Sequence, residues 1–166
     1  MKTLKLLLMV LFATGLSVSA QAQFRLGPSI SFGSDTDLGI GAKAKFDLDD
    51  QFKISPSFNF LASDSENTVL GKVSSTLFEI NGDVHYAFSD NGSVLFYGLG
   101  GLNIVFASGK ILGESFSDTD IGINLGVGGE YVIADKFNAF TEAKFGIGGV
   151  DQLLITAGIY FTVGGE

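Results

Sequence analysis

The chain has 166 residues, enough for one domain with a sizeable interior and too few for two ordinary ones. It contains no cysteine, which excludes a disulfide framework, a thiolate metal site and a lipid-modified N-terminal cysteine. Ten basic side chains against 18 acidic ones argue against a nucleic-acid partner, and 23 Gly, 16 Phe and only 2 Pro, with a positive mean hydropathy, fit neither an ordinary soluble domain nor a disordered one.

In chain order, residues 1–22 read as an export signal. Lys2 and Lys5 supply the positive start, Leu6 to Leu16 the apolar run, and Ala20-Gln21-Ala22 a small-x-small cleavage site with the cut before Gln23. The apolar run falls short of the ~20 residues that a membrane-spanning helix needs. Removal leaves 8 basic against 18 acidic side chains, a net charge of −10, on a single domain of residues 23–166.

Beyond the signal, apolar residues recur with period two rather than at helical spacing, which predicts eight strands. They run Phe24 to Gly33, Leu38 to Leu48, Phe52 to Leu61, Thr76 to Phe88, Val94 to Ala107, Asp120 to Ile133, Phe137 to Gly148 and Gln152 to Val163. The second is the clearest, with Leu38, Ile40, Ala42, Ala44, Phe46 and Leu48 on one face and Gly39, Gly41, Lys43, Lys45 and Asp47 on the other. Strands of this length exceed the globular norm of about five or six residues and suit a tilted membrane crossing of ~9 to 11.

The connections alternate in character. Asp49-Asp50-Gln51, Ser89-Asp90-Asn91-Gly92 and Ala134-Asp135-Lys136 are short turns after even strands, and Asn91-Gly92 is a tight-hairpin signal. Two longer polar loops, residues 62–75 and 107–119, follow odd strands, so any exposed binding surface is expected mainly there. Glycine clusters at Gly98, Gly100, Gly101, at Gly126, Gly128, Gly129 and at Gly146, Gly148, Gly149 imply either strand bending with close packing or a thinned wall.

Such alternation fits a soluble barrel with an apolar interior as well as a membrane barrel with a polar one. The polar face carries Arg25, Lys43, Lys45, Lys53, Glu79, Asp83, His85, Glu130, Glu142 and Lys144, a mixture of signs that would suit a lumen of paired charges. On the opposite face aromatic residues gather at strand ends, as with Phe24 and Phe32, Phe52 and Phe60, Phe137 and Phe145. Girdles at two membrane interfaces produce that distribution, whereas a soluble core puts its bulk in the middle. The polar face is therefore expected to line the lumen, as a structural network or a path for small solutes.

Catalytic signals are weak. His85 is the only histidine, with Asp83 two residues away, but no G-x-S-x-G elbow supplies a nucleophile. Gly39-Ile40-Gly41-Ala42-Lys43-Ala44 echoes a dinucleotide fingerprint without the helix that must follow it. Asp64, Glu66, Glu114, Asp118 and Asp120 offer carboxylates for Ca²⁺ or Mg²⁺, yet no ligand spacing makes them specific. No cofactor or metal is expected.

With its signal, eight alternating strands, Gly and Phe richness and the closing segment QLLITAGIYFTV (Gln152 to Val163), the chain resembles the small outer-membrane β-barrel family, porin-like and OmpA/OmpX-like. The resemblance implies an all-β, eight-stranded antiparallel up-and-down transmembrane barrel. It further implies outer-membrane lipid and the barrel-assembly machinery as partners, a monomeric state, and a non-enzymatic structural, surface-interaction or minor permeability role. Members of that family end on an aromatic residue, whereas here Phe161 is followed by Thr162, Val163, Gly164, Gly165 and Glu166. The alternative reading is a secreted or periplasmic soluble barrel that holds an apolar ligand inside.

Overall fold

Period-two alternation gives each strand one face that needs an apolar neighbour and one that needs a polar neighbour, and the chain satisfies both by curling its sheet until the ends meet. The computed structural model describes residues 24–34, 38–62, 66–68, 71–111, 114–149 and 151–163; the expected signal, residues 1–22, lies outside them. The strands are β1 (Phe24–Gly33), β2 (Leu38–Asp47), β3 (Phe52–Ala62), β4 (Glu66–Thr68), β5 (Gly71–Asp90), β6 (Val94–Ile111), β7 (Glu114–Ala134), β8 (Phe137–Ile147) and β9 (Leu153–Val163). β1 pairs with both β2 and β9, and β3 with both β2 and β5, so eight antiparallel strands close into a barrel. The short β4 pairs only with the first residues of β5, outside the ring.

Faces fall as the alternation requires. On β2, Gly39, Lys43 and Lys45 are buried or partly buried towards the axis, while Leu38 and Ile40 stay 48% and 59% exposed on the outer wall. A charged interior under an apolar exterior overturns the soluble-barrel alternative. Aromatic pairs stand in two bands on that wall. Phe24 meets Phe46 at 4.9 Å, Phe52 meets Tyr86 at 5.3 Å and Phe137 meets Phe161 at 5.2 Å near the short turns, and at the other end Phe78 meets Phe58 at 4.6 Å and Phe106 at 5.8 Å. From Phe52 to Phe60 the strand climbs ~26 Å, which a tilt of about 40° reduces to ~20 Å, close to the ~25 Å apolar band of a membrane barrel.

Two expectations need correction. The strands are uneven: β1, β2, β3, β8 and β9 have 10 or 11 residues, whereas β5, β6 and β7 have 20, 18 and 21. Most of the segments expected as loops 62–75 and 107–119 is therefore strand, with β6 and β7 paired as far as Ile111↔Glu114. Beyond the bilayer both faces of a ladder are wet, so pairing continues where the hydropathy pattern that signals it has stopped. Among smaller differences, β2 ends at Asp47 and β9 begins at Leu153.

Both prolines sit where a ladder can lose a donor. The β1–β9 ladder skips Gly27 and Pro28, and the β2–β3 ladder skips Ala44 and Lys45 opposite Ser55 and Pro56. At the second gap the Ser55 hydroxyl donates to the Ala44 carbonyl at 2.9 Å, replacing the missing amide. The expected Asn-Gly hairpin is present, with Gly92 at φ 80° and Asn91 Oδ1 accepting from the Ser93 and Val94 amides at 3.0 and 2.8 Å. Its counterpart after β2 is held by Asp49, whose Oδ1 accepts from the Phe52 and Gln51 amides at 2.7 and 2.8 Å. These amides hold the exposed Asp49 carboxyl below the usual carboxylate range.

The glycine clusters divide by face. On the inner side of so narrow a barrel the neighbouring backbone leans in: a Cβ on Gly101 would strike the Gly82 carbonyl oxygen, and one on Gly126 the Ala143 carbonyl oxygen. Outward Gly98 has nothing within 4 Å of its missing Cβ. Gly126→Ala is expected to cost about 1–3 kcal/mol in urea unfolding from detergent micelles, whereas Gly98→Ala should be neutral or stabilising by about 0.5–1 kcal/mol. Asp49's depressed pKa makes its support of the turn complete above the unfolded carboxylate value of ~3.9 and lost as pH falls through the lower folded value. Hydrogen exchange at the Gln51 and Phe52 amides should accordingly show protection that persists below pH ~4, and that Asp49→Ala removes at every pH.

Candidate functional site: the charged lumen

An eight-stranded barrel is just wide enough for side chains to fill it, so inward charges must meet one another across the axis. All ten residues of the expected polar face lie in the interior, each at most 8% exposed: Arg25, Lys43, Lys45, Lys53, Glu79, Asp83, His85, Glu130, Glu142 and Lys144. The five cations face the carboxylates of Glu79, Asp83, Glu130 and Glu142, with Asp47 at the mouth as the fifth. The interior is thus neutral when His85 is uncharged.

Near the short turns, β1 and β2 meet β7. Arg25 forks between Asp47, at 2.6 and 2.7 Å, and Glu130, at 2.9 Å, while Lys45 pairs with the other oxygen of Glu130. Lys53 lies 3.5 Å from Asp47 and donates to the Asp50 carbonyl at 3.3 Å, tying the network to the turn. An open cleft of about 310 Å³ reaches this group from the turn end, past Asp90, Asp135 and Asn138.

The middle layer joins residues of β2, β5, β6 and β8 across the interior. Glu142 accepts from Lys43 with one oxygen and from the Tyr97 hydroxyl with the other, at 2.7 Å. The His85 ring stacks on Tyr97 at 4.3 Å and 9°, and Lys45 sits 4.6 Å above the centre of the same ring. Tyr160 stacks on Phe140 at 4.3 Å. Tyr97 can lie across the bore because Gly128 presents no side chain: a Cβ there would come within 2.6 Å of the ring.

Towards the long-strand end the network is mostly amide. Asn124 donates to Asn81 at 2.8 Å and to Asp83 at 2.9 Å, Lys144 donates to Asn81 at 3.0 Å, and Asn59 donates to Glu79 at 3.4 Å. Apolar Leu61, Leu99, Val105 and Leu154 are also buried inside, so the lumen is a mixed packing.

Asp47, Tyr97, Tyr160, Asn81 and Asn124 were absent from the expected site. Strand parity would have found Tyr160, which shares a face with Thr156 and Thr162; Tyr97 follows inward Leu95 and precedes inward Leu99, so hydropathy masked it.

This arrangement supports no catalysis. His85 lies 3.6 Å from Glu142 and its nitrogens make no hydrogen bond to described residues, so Asp83 does not orient it. The glycines around Lys43 lie inside β2, with no helix to receive a phosphate. Of the acids considered for a divalent cation, Asp64 lies outside the described residues, and no metal-binding cluster occurs among the residues described.

Residues 4–154 match the family model described as outer membrane protein beta-barrel domain. Among solved structures, the chain is similar to Ail, the attachment invasion locus protein of Yersinia pestis, at 17% identity and TM-score 0.59, over 88% of this chain and 100% of that one. It is similar to the N-terminal barrel of Pseudomonas aeruginosa OprF at 16% identity and TM-score 0.67, over 86% and 100%. Neisserial surface protein A matches at 13% identity and TM-score 0.67, over 86% and 97%. No curated protein matches the sequence.

Removing one member of a buried ion pair strands the other at a cost of about 3–5 kcal/mol, whereas removing both charges is far milder. In a double-mutant cycle, Lys43→Met and Glu142→Gln should each lower the urea stability of the micelle-bound barrel by more than the double variant does. Additive effects would show that the pair is not coupled.

Proposed function

Since the chain belongs to the outer membrane protein beta-barrel domain family, we propose that this non-enzymatic integral barrel keeps a closed lumen and acts through the strands that rise beyond the lipid. The observation that carries this reading is the layer of Tyr97, His85, Glu142 and Lys43, in which aromatic rings and paired charges occupy the bore at mid-height. A solute would have to break buried ion pairs to pass. The ten lumen residues therefore act as a structural network and not as a selectivity filter.

Orientation follows from strand number. An even count returns both chain ends to the side of the short turns, which in this class of barrel is the periplasm, and leaves the long ends of β5, β6 and β7 outside the cell. Residues 1–22 serve as the signal that delivers the chain to the periplasm, cut before Gln23, and the barrel-assembly machinery inserts it. The outer extension is the surface available for recognition. Ail has been solved in complex with a heparin analogue, sucrose octasulfate. Asp118 and Asp120 are exposed on the present extension, and their sign favours a cationic ligand over a polyanion.

Two measurements test this. Purified protein in planar bilayers should show no steady single-channel openings, and steady openings would overturn the closed lumen. Because the sequence has no cysteine, Ser117→Cys and Asp135→Cys are clean reporters. A membrane-impermeant maleimide applied to intact cells should label the first and spare the second, and the reverse pattern would invert the orientation.

A further inference from the structure

The lumen is neutral as a whole but not along its length. At the turn end Arg25, Lys45 and Lys53 face Asp47 and Glu130, three cations against two acids, and in the middle layer Lys43 balances Glu142. Towards the outer end the remaining inward charges are Lys144, Glu79 and Asp83, one cation against two acids. Neither of these acids makes an ion pair among the described residues. Glu79 accepts from Asn59 at 3.4 Å, Asp83 Oδ1 accepts from Asn124 at 2.9 Å, and Lys144 donates to the Asn81 amide instead. A buried carboxylate held by one neutral donor keeps most of its desolvation penalty, so this end of the lumen favours an added positive charge.

Unpartnered oxygens mark the same place. Asp83 Oδ2, Asn124 Oδ1 and Asn103 Oδ1 make no hydrogen bond to described residues, although none of these residues is more than 2% exposed. Register brings them together. Asp83 and Asn124 flank Gly101 in one row across β5, β6 and β7, and Asn103 stands between Asn81 and Gly122 in the next row. Gly101 adds no side chain to its row, and a Cβ there would strike Asp83 Oδ1. In these two rows the one unpartnered donor among the described residues is Asn81 Nδ2. Its two hydrogens cannot satisfy three acceptors, so rearranging the amides leaves an oxygen without a partner.

We propose that the outer half of the lumen binds one monovalent cation of sodium or potassium size, with ligands drawn from Asp83 Oδ2, Asn124 Oδ1 and Asn103 Oδ1. Carboxylate and amide oxygens are the ligands that hard cations select. The ion offsets the excess acid, and Asp83 can serve it without losing Asn124, which donates to the other carboxylate oxygen. A divalent ion is a poorer occupant, because Lys144 leaves a single negative charge to balance and such ions recruit several carboxylates. The bound ion is a structural part of the packed interior, and its binding requires no passage through the bore.

The test uses the full-length protein folded in detergent micelles and unfolded in urea at constant ionic strength, with Na⁺ exchanged for N-methylglucamine, an organic cation too large to sit between Asp83 and Asn124. The unfolding equilibrium constant should fall at least about threefold at ~0.2 M Na⁺. Sodium magnetic resonance should show line broadening by the folded protein that K⁺ displaces and N-methylglucamine does not. Asp83→Asn should abolish both the sodium response and the broadening, whereas Asp118→Asn, on the outer extension, should keep them. Equal stability of the unaltered protein in the two salts overturns the proposal, as does an unchanged sodium response in Asp83→Asn. A protein that ignores sodium but gains stability as pH falls from ~7 to ~5 holds a proton on one of the two carboxyls instead, which also overturns it. If Asp83→Asn does not fold, judged by heat-modifiable gel mobility, displacement of the broadened sodium line by K⁺ decides alone. Planar-bilayer recordings report separately on closure, so channel openings would remove the closed-lumen reading and leave the sodium response as measured.

Discussion

Closure of only eight strands sets the terms for everything else in this protein. The small circumference bends each strand strongly, brings neighbouring carbonyl oxygens against the inner face at Gly101 and Gly126, and leaves a bore narrow enough for inward side chains to meet across it. Charges that alternation sends inward lose much of their hydration and are held by other inward side chains, in ion pairs near the short turns and by amides further along. Glu130 serves both Arg25 and Lys45, and Glu142 serves both Lys43 and Tyr97. Each of these contacts joins residues on β1 or β2, or on β6, to residues on β7 or β8, so the ion pairs tie strands that share no ladder.

The wall was far more legible than the lumen. Period two is enforced by lipid outside and charge inside, which is why the outward residues of β1, β2, β3, β8 and β9 and the inward position of all ten polar residues follow from sequence alone. The partners did not follow. Arg25 reaches Glu130 over 105 positions, and which inward charge meets which depends on stagger between strands, a quantity that no short stretch of sequence encodes. Tyr97 escaped notice for a related reason. Its inward position between Leu95 and Leu99 looks apolar, and only Gly128 on the adjoining strand shows that a ring is accommodated there.

The extension of β5, β6 and β7 marks the other limit. Hydropathy alternates only where the two faces of a strand meet different solvents, and above the aromatic band at Phe78 and Phe106 both meet water. The ladder persists there through backbone hydrogen bonds, to which composition is nearly blind. Ser, Asp and Gly in residues 107–119 therefore suggested a loop where a hairpin stands.

Closure and extension also divide the barrel into two zones. Within the membrane every strand has two neighbours, and most lumen charges are held by other inward side chains. Beyond the membrane, β8 stops at Ile147 while β7 and β6 stay paired as far as Ile111↔Glu114. Inside the bilayer the ladder is held by the contrast between lipid and lumen, and above it by backbone hydrogen bonds between the long strands alone.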